Sequence, residues 1–88
     1  MSFMYSIEYS RDAAKAIAKL PRDVRALMLE KIEAVAAAPY EQHNNVKRLQ
    51  GRPEFRLRVH DWRVIYRVQD DRVVLLIIKI ASRGEVYK

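Results

Sequence analysis

Three strand-like runs, Phe55 to Val59, Trp62 to Gln69 and Val73 to Ile80, follow one another closely, joined by His60-Asp61 and Asp70-Asp71. Turns that compact join neighbouring strands antiparallel, so this half of the chain is predicted to be a meander. Val73 to Ile78 is apolar at every position, the pattern of a central strand covered on both faces or packed under helices.

Ahead of the meander the periodicity changes. Met4 to Tyr9 alternates, with Tyr5, Ile7 and Tyr9 on one side and Ser6 and Glu8 on the other, the period of a half-buried strand. Ser10 is a natural helix N-cap, with Asp12 favourably placed in the first turn. A short helix from Arg11 to about Lys19 is predicted to turn Ala13, Ala14 and Ile17 inward. Pro21 suits the first turn of a second helix that buries Val24, Met28, Ile32 and Val35, and Pro39 ends it by disfavouring the helical conformation of Ala38. Tyr40 to Asn45 reads as a polar loop. The order is β-α-α-β-β-β, which gives an α+β class with a helical hairpin packed on one face of a small, mainly antiparallel sheet.

The chain has 88 residues, and the sequence contains no repeat, low-complexity tract or Gly/Ser/Pro-rich linker. One domain over residues 1–88 with one modest core is expected. Without cysteine there is no disulfide framework, thiolate nucleophile or thiolate metal site. The first dozen residues lack a basic segment followed by an apolar one, and no apolar run approaches a membrane span. A cytoplasmic protein with no membrane association is therefore expected.

Charge is unevenly placed. Residues 1–46 carry six Lys/Arg and six Asp/Glu, so the whole net charge of +6 lies beyond Val46. Such a field suits a polyanion or an acidic protein partner, although a solvated basic surface has the same asymmetry. Strand alternation sharpens the picture. Arg56, Arg58 and His60 point away from Phe55, Leu57 and Val59, while Arg63 and Arg67 point away from Trp62, Val64, Tyr66 and Val68. Like charges stacked across strands repel, so stability does not gather them. A phosphate chain lying over the face would, because guanidinium groups pair with phosphate oxygens in two-pronged geometry. Arginines whose stems merely cover apolar surface are the plainer alternative.

At this point the stretch from Lys47 to Lys88 resembles the RelE branch of the RelE/ParE toxins. The resemblance rests on Leu49 and Gly51 in a loop, Arg56 and Arg58 on the next strand, the run Trp62-Arg63-Val64-Ile65-Tyr66, Arg83, and Glu85-Val86-Tyr87. It implies a microbial ribonuclease-like fold and the toxin of a type II toxin-antitoxin system. It further implies cleavage of messenger RNA in the A site of the 70S ribosome, and inhibition by a cognate antitoxin presenting an acidic or amphipathic helical segment.

Carried over position by position, the resemblance makes Arg58, Arg63, Arg83 and Tyr87 the catalytic set, with Arg56, Lys47, Arg48 and Arg67 binding substrate. The expected reaction is attack of a ribose 2′-hydroxyl on the adjacent phosphate, which leaves a cyclic phosphate and a free 5′-hydroxyl. The nucleophile belongs to the substrate, so no metal and no cofactor are expected. Arg63 and Arg83 are assigned to phosphate and transition-state charge, and Tyr87 to orienting or deprotonating the 2′-hydroxyl. A phenol near pKa 10 is a poor base, but neighbouring arginines favour its phenolate; the plainer expectation for Tyr87 is a frayed terminal side chain, followed only by Lys88.

The chain departs from the family in carrying arginine where lysines stand at positions 56 and 58. Arginine hardly gives up a proton, which leaves the general acid open between Arg58 and His60. His60 is equally explained as a turn residue, and His43 as a solvated loop residue. No His, Asp or Glu pair has metal-ligand spacing, and there is no phosphate-binding glycine loop or nucleophilic serine motif. Two other functions fit a chain of this kind: a ParE-like inhibitor of DNA gyrase, and a non-catalytic basic module that binds RNA or protein.

Overall fold

The structure, a computed structural model, describes residues 4–82. The elements run β1 Ser6–Tyr9, α1 Arg11–Ala18, α2 Arg22–Ala37, β2 Val46–Arg48, β3 Phe55–Val59, β4 Trp62–Gln69 and β5 Val74–Ser82. They form an α+β fold with two helices packed on a five-stranded mixed sheet of order β1-β5-β4-β3-β2. The β3-β4-β5 meander is antiparallel as expected, and β1 joins β5 in parallel.

Local signals behave as their chemistry dictates. The Ser10 hydroxyl accepts from the Ala13 amide at 3.0 Å, closing the first turn of α1, and donates to the Ile78 carbonyl at 2.6 Å, tying that cap to β5. Pro21 stands at the N-cap of α2 rather than inside its first turn, with extended ψ, and its carbonyl accepts from Arg25. Of the expected α1 stripe, Ala13 is buried and Ile17 half-buried, but Ala14 is exposed, because the inward face runs through Ala13, Ala16, Ile17 and Leu20.

Met28, Ile32 and Val35 of α2 meet Leu57, Val59, Val64, Tyr66, Leu75 and Ile77 in the core. Burial of this kind contributes on the order of 25 cal/mol per Å² of apolar surface. Tyr5, Ile7 and Tyr9 pack on its margin. Among the described residues no helix is long and apolar enough to cross a membrane.

Three features differ from the expected pattern. Val46–Arg48 is a short additional strand, paired with β3 at the sheet edge. Val73 lies in the turn with φ of +53°, a conformation β-branched residues rarely adopt, and β5 starts one residue later. Register also shifts on β5: Ile65 pairs with Lys79 but Tyr66 with Ile77, so Ile78 is an extra residue between them.

Candidate active site

The helices cover one sheet face; on the other, register places the cations in two adjoining rows. Lys47 pairs with Arg56, Arg56 with Ile65, and Ile65 with Lys79, so one row crosses four strands. In the next row Arg58 pairs with Arg63, and Arg63 with Ala81. The Arg58 amide donates to the Asn45 carbonyl at 2.8 Å, which pins the turn before β2 against the same row. Asn44, Asn45, Lys47, Arg56, Arg58 and Arg63 line one cleft.

Arg63 is the most enclosed cation of the group, 8% exposed. Its Nη1 donates to the carbonyls of His60 in the β3-β4 turn at 3.2 Å and of Trp62, the first residue of β4, at 3.1 Å. His60 has φ of +53°, and this left-handed residue shapes the turn that receives the guanidinium. Arg63 is thereby held in place, whereas Arg58 beside it is exposed.

Two expected substrate ligands do not line this cleft. Arg48 pairs with Phe55, and its guanidinium lies 5.9 Å from that ring's centroid, so it belongs to the opposite face from Lys47. Phe55 in turn stacks on Tyr66 with centroids 5.4 Å apart. Arg67 shares the cationic face but is bound to Glu54 at 2.6 Å, and Arg52 holds the same carboxylate at 2.8 Å. Glu54 is only 4% exposed. The Arg67 hydrogen bond, followed by Arg52, holds its carboxyl below the usual range despite burial.

Lys79 was not singled out by its spacing. Strict alternation from the buried Leu75 and Ile77 sends position 79 into the core; the extra residue Ile78 reverses that parity and turns Lys79 toward Ile65. Ile65 and Ala81 make a small apolar cluster on this face with Leu49 and Ile78.

The histidines separate. His60 lines a neighbouring cavity with Leu27, Lys31, Asn45, Arg58, Val59 and Asp61, which shares Asn45 and Arg58 with the cleft. His43 is not a solvated loop residue: its Nε2-H donates to the Ala38 carbonyl at 2.8 Å, satisfying an end of α2 that Pro39 leaves open. Arg83 and Tyr87, expected in the catalytic set, lie outside the described residues. Among the described residues no group of three or more His, Asp or Glu side chains is placed to hold a metal.

Chemically, the face offers positive charge and directed N-H donors converging on a cleft, the kind of groups suited to a phosphodiester and to charge added to it. Fold and site together define a small basic α+β domain with cations gathered on its helix-free sheet face. The chain belongs to the RelE/ParE toxin superfamily: residues 7–87 match the family profile of the ParE toxin of type II toxin-antitoxin system, parDE.

The "mRNA interferase toxin RelE" of Escherichia coli K12 is 28% identical over 85 residues, which cover 94% of this chain and 90% of that relative. Among solved structures, the isolated Escherichia coli RelE toxin superposes with a TM-score of 0.74 at 31% identity, covering 94% of this chain and 90% of that one. A chain of the archaeal RelE-RelB complex from Pyrococcus horikoshii OT3 gives a TM-score of 0.80 at 27% identity, covering 96% and 100%.

Proposed function

We propose that this single-domain toxin is a metal-independent endoribonuclease that cuts messenger RNA in the ribosomal A site and works in the cytoplasm. The observation that carries the reading is the convergence of Lys47, Arg56, Arg58 and Arg63 on one helix-free cleft, in a chain whose relative bears the name mRNA interferase.

In this mechanism Arg56 and Lys47 hold the backbone of the RNA, with Arg67 at the margin once it loosens from Glu54. Arg63, held by the His60 and Trp62 carbonyls, and Arg58 neutralise the charge that develops on the phosphate as the 2′-oxygen attacks. Tyr87 orients or deprotonates that hydroxyl and Arg83 adds a further cation. The bond from phosphorus to the 5′-oxygen breaks, leaving a 2′,3′-cyclic phosphate. A cognate antitoxin laying an acidic or amphipathic helical segment on the toxin silences it; relatives solved as RelE-RelB complexes support such a partner.

The test is primer extension on a defined messenger RNA with wild type, Arg83→Ala and Tyr87→Phe, each with and without programmed ribosomes and with chelator present. Cleavage that needs ribosomes, survives chelation and is lost in both variants is expected. The matching profile bears the ParE name, which favours gyrase inhibition as a second reading. That reading predicts inhibited supercoiling, no cut RNA, and indifference to Tyr87→Phe. Salt-sensitive RNA binding without product under every condition would instead mark a binding module.

A further inference from the structure

Cleavage by 2′-hydroxyl attack needs a proton for the departing 5′-oxygen, because an alkoxide is a poor leaving group at neutral pH. Among the described residues that line the cationic cleft are three arginines, two asparagines and one lysine. Guanidinium groups stay protonated throughout the accessible pH range, and carboxamides are not acids there. Among these described residues Lys47 is the remaining donor. It stands directly across from Arg56, one row from the Arg58-Arg63 pair, at the open edge of the sheet.

Two other candidates do not line this cleft. His60 lines an adjacent cavity that shares Asn45 and Arg58 with it, and Lys79 is separated from Arg56 by Ile65. The cleft therefore joins the cations suited to phosphate charge with one ammonium able to release a proton.

We propose that Lys47 is the general acid of the endoribonuclease reaction, an inference that rests on the reading above. As the phosphorus to 5′-oxygen bond breaks, the electron pair goes to that oxygen and the Lys47 ammonium supplies its proton. The resulting amine recovers a proton from water, so the step balances without a co-reactant.

A leaving group that needs no proton provides the test. Single-turnover cleavage is measured on programmed ribosomes with two messenger RNAs, one natural and one carrying sulfur in place of the 5′-oxygen at the cut site. Lys47→Arg keeps the cation and removes the acid; Lys47→Met removes both, and thermal melting checks that each exposed substitution leaves the fold intact. Both variants are expected to cleave the natural substrate slower by about 100-fold or more, the usual contribution of a general acid. With the sulfur substrate Lys47→Arg should match wild type.

An equal loss on both substrates makes Lys47 a binding residue and overturns the inference, as does full activity of Lys47→Arg on the natural RNA. If wild type cuts neither substrate, the endoribonuclease reading itself fails and the inference falls with it, an outcome distinct from the other two.

Discussion

Arg58 and Arg63 are Cα partners across β3 and β4, two like charges set face to face in an antiparallel pair. Such pairs destabilise a sheet, so the contact is a cost borne by the fold. Arg58→Gln is expected to raise the urea midpoint, by roughly 0.5 kcal/mol of stability. The same variant should lose about 100-fold in RNA cleavage, the scale of one missing charge-stabilising donor. Stability and cleavage falling in parallel would make Arg58 a structural residue instead.

Glu54 restrains Arg67 and Arg52 from a buried position. Its carboxyl titrates below the usual range, so its contribution to stability is full above the unfolded value near 4.3 and is lost as pH falls through the lowered folded value. Glu54→Gln should therefore flatten the stability profile on the acid side. It also frees Arg67, and the salt dependence of single-stranded RNA binding should steepen by about 0.7 in log-log slope for one added phosphate contact. An unchanged slope would show that Arg67 does not reach the RNA.

Asp70, in the β4-β5 turn, accepts hydrogen bonds from Tyr5 at 2.8 Å and from Tyr40. The Tyr40 and Tyr5 bonds lower the Asp70 carboxyl, while bonding to Asp70 raises both phenols, Tyr40 to about 12. The carboxyl contributes above its unfolded value and ceases to as pH falls through its lowered one. The phenols contribute below about 10 and cease to as pH rises through their raised values. Ultraviolet titration of Asp70→Asn should bring two tyrosines back toward 10. If the spectrum titrates as wild type, the three groups do not share a bond in solution.

Tyr66 is 1% exposed, and its hydroxyl has no hydrogen-bond partner among the described residues. Burial pushes it up to about 12. Tyr66→Phe removes an unsatisfied polar atom while keeping the ring stacked on Phe55, and a gain of up to about 1 kcal/mol is expected by urea denaturation. A loss would reveal a partner for the hydroxyl.

The strands of the meander were legible because alternation and compact turns are local properties, and Ser10 announced α1 because capping is local too. β2 was not: three residues, two of them basic, carry no periodicity, and their strand exists through pairing with β3. The bulge at Ile78 was equally hidden, because composition does not record which residue of an apolar run is supernumerary; the face of Lys79 was lost with it. Within the site, alternation correctly put Arg56, Arg58 and Arg63 on one face. It could not show that Glu54 occupies Arg67, that Arg48 turns to Phe55, or that His43 closes α2, since each depends on a side chain's tertiary reach.

The parallel pairing of β1 with β5 joins Ser6 to Val74 and Tyr9 to Ile77, and the cap of α1 is fastened to Ile78. During synthesis the first strand and first helix must wait, without their sheet neighbour, until nearly all the described chain has emerged from the exit tunnel. Loop closure over that separation is slow compared with local hairpin formation. The first strand of a protein proposed to strike translating ribosomes thus gains its partner only once β5 is free to pair with it.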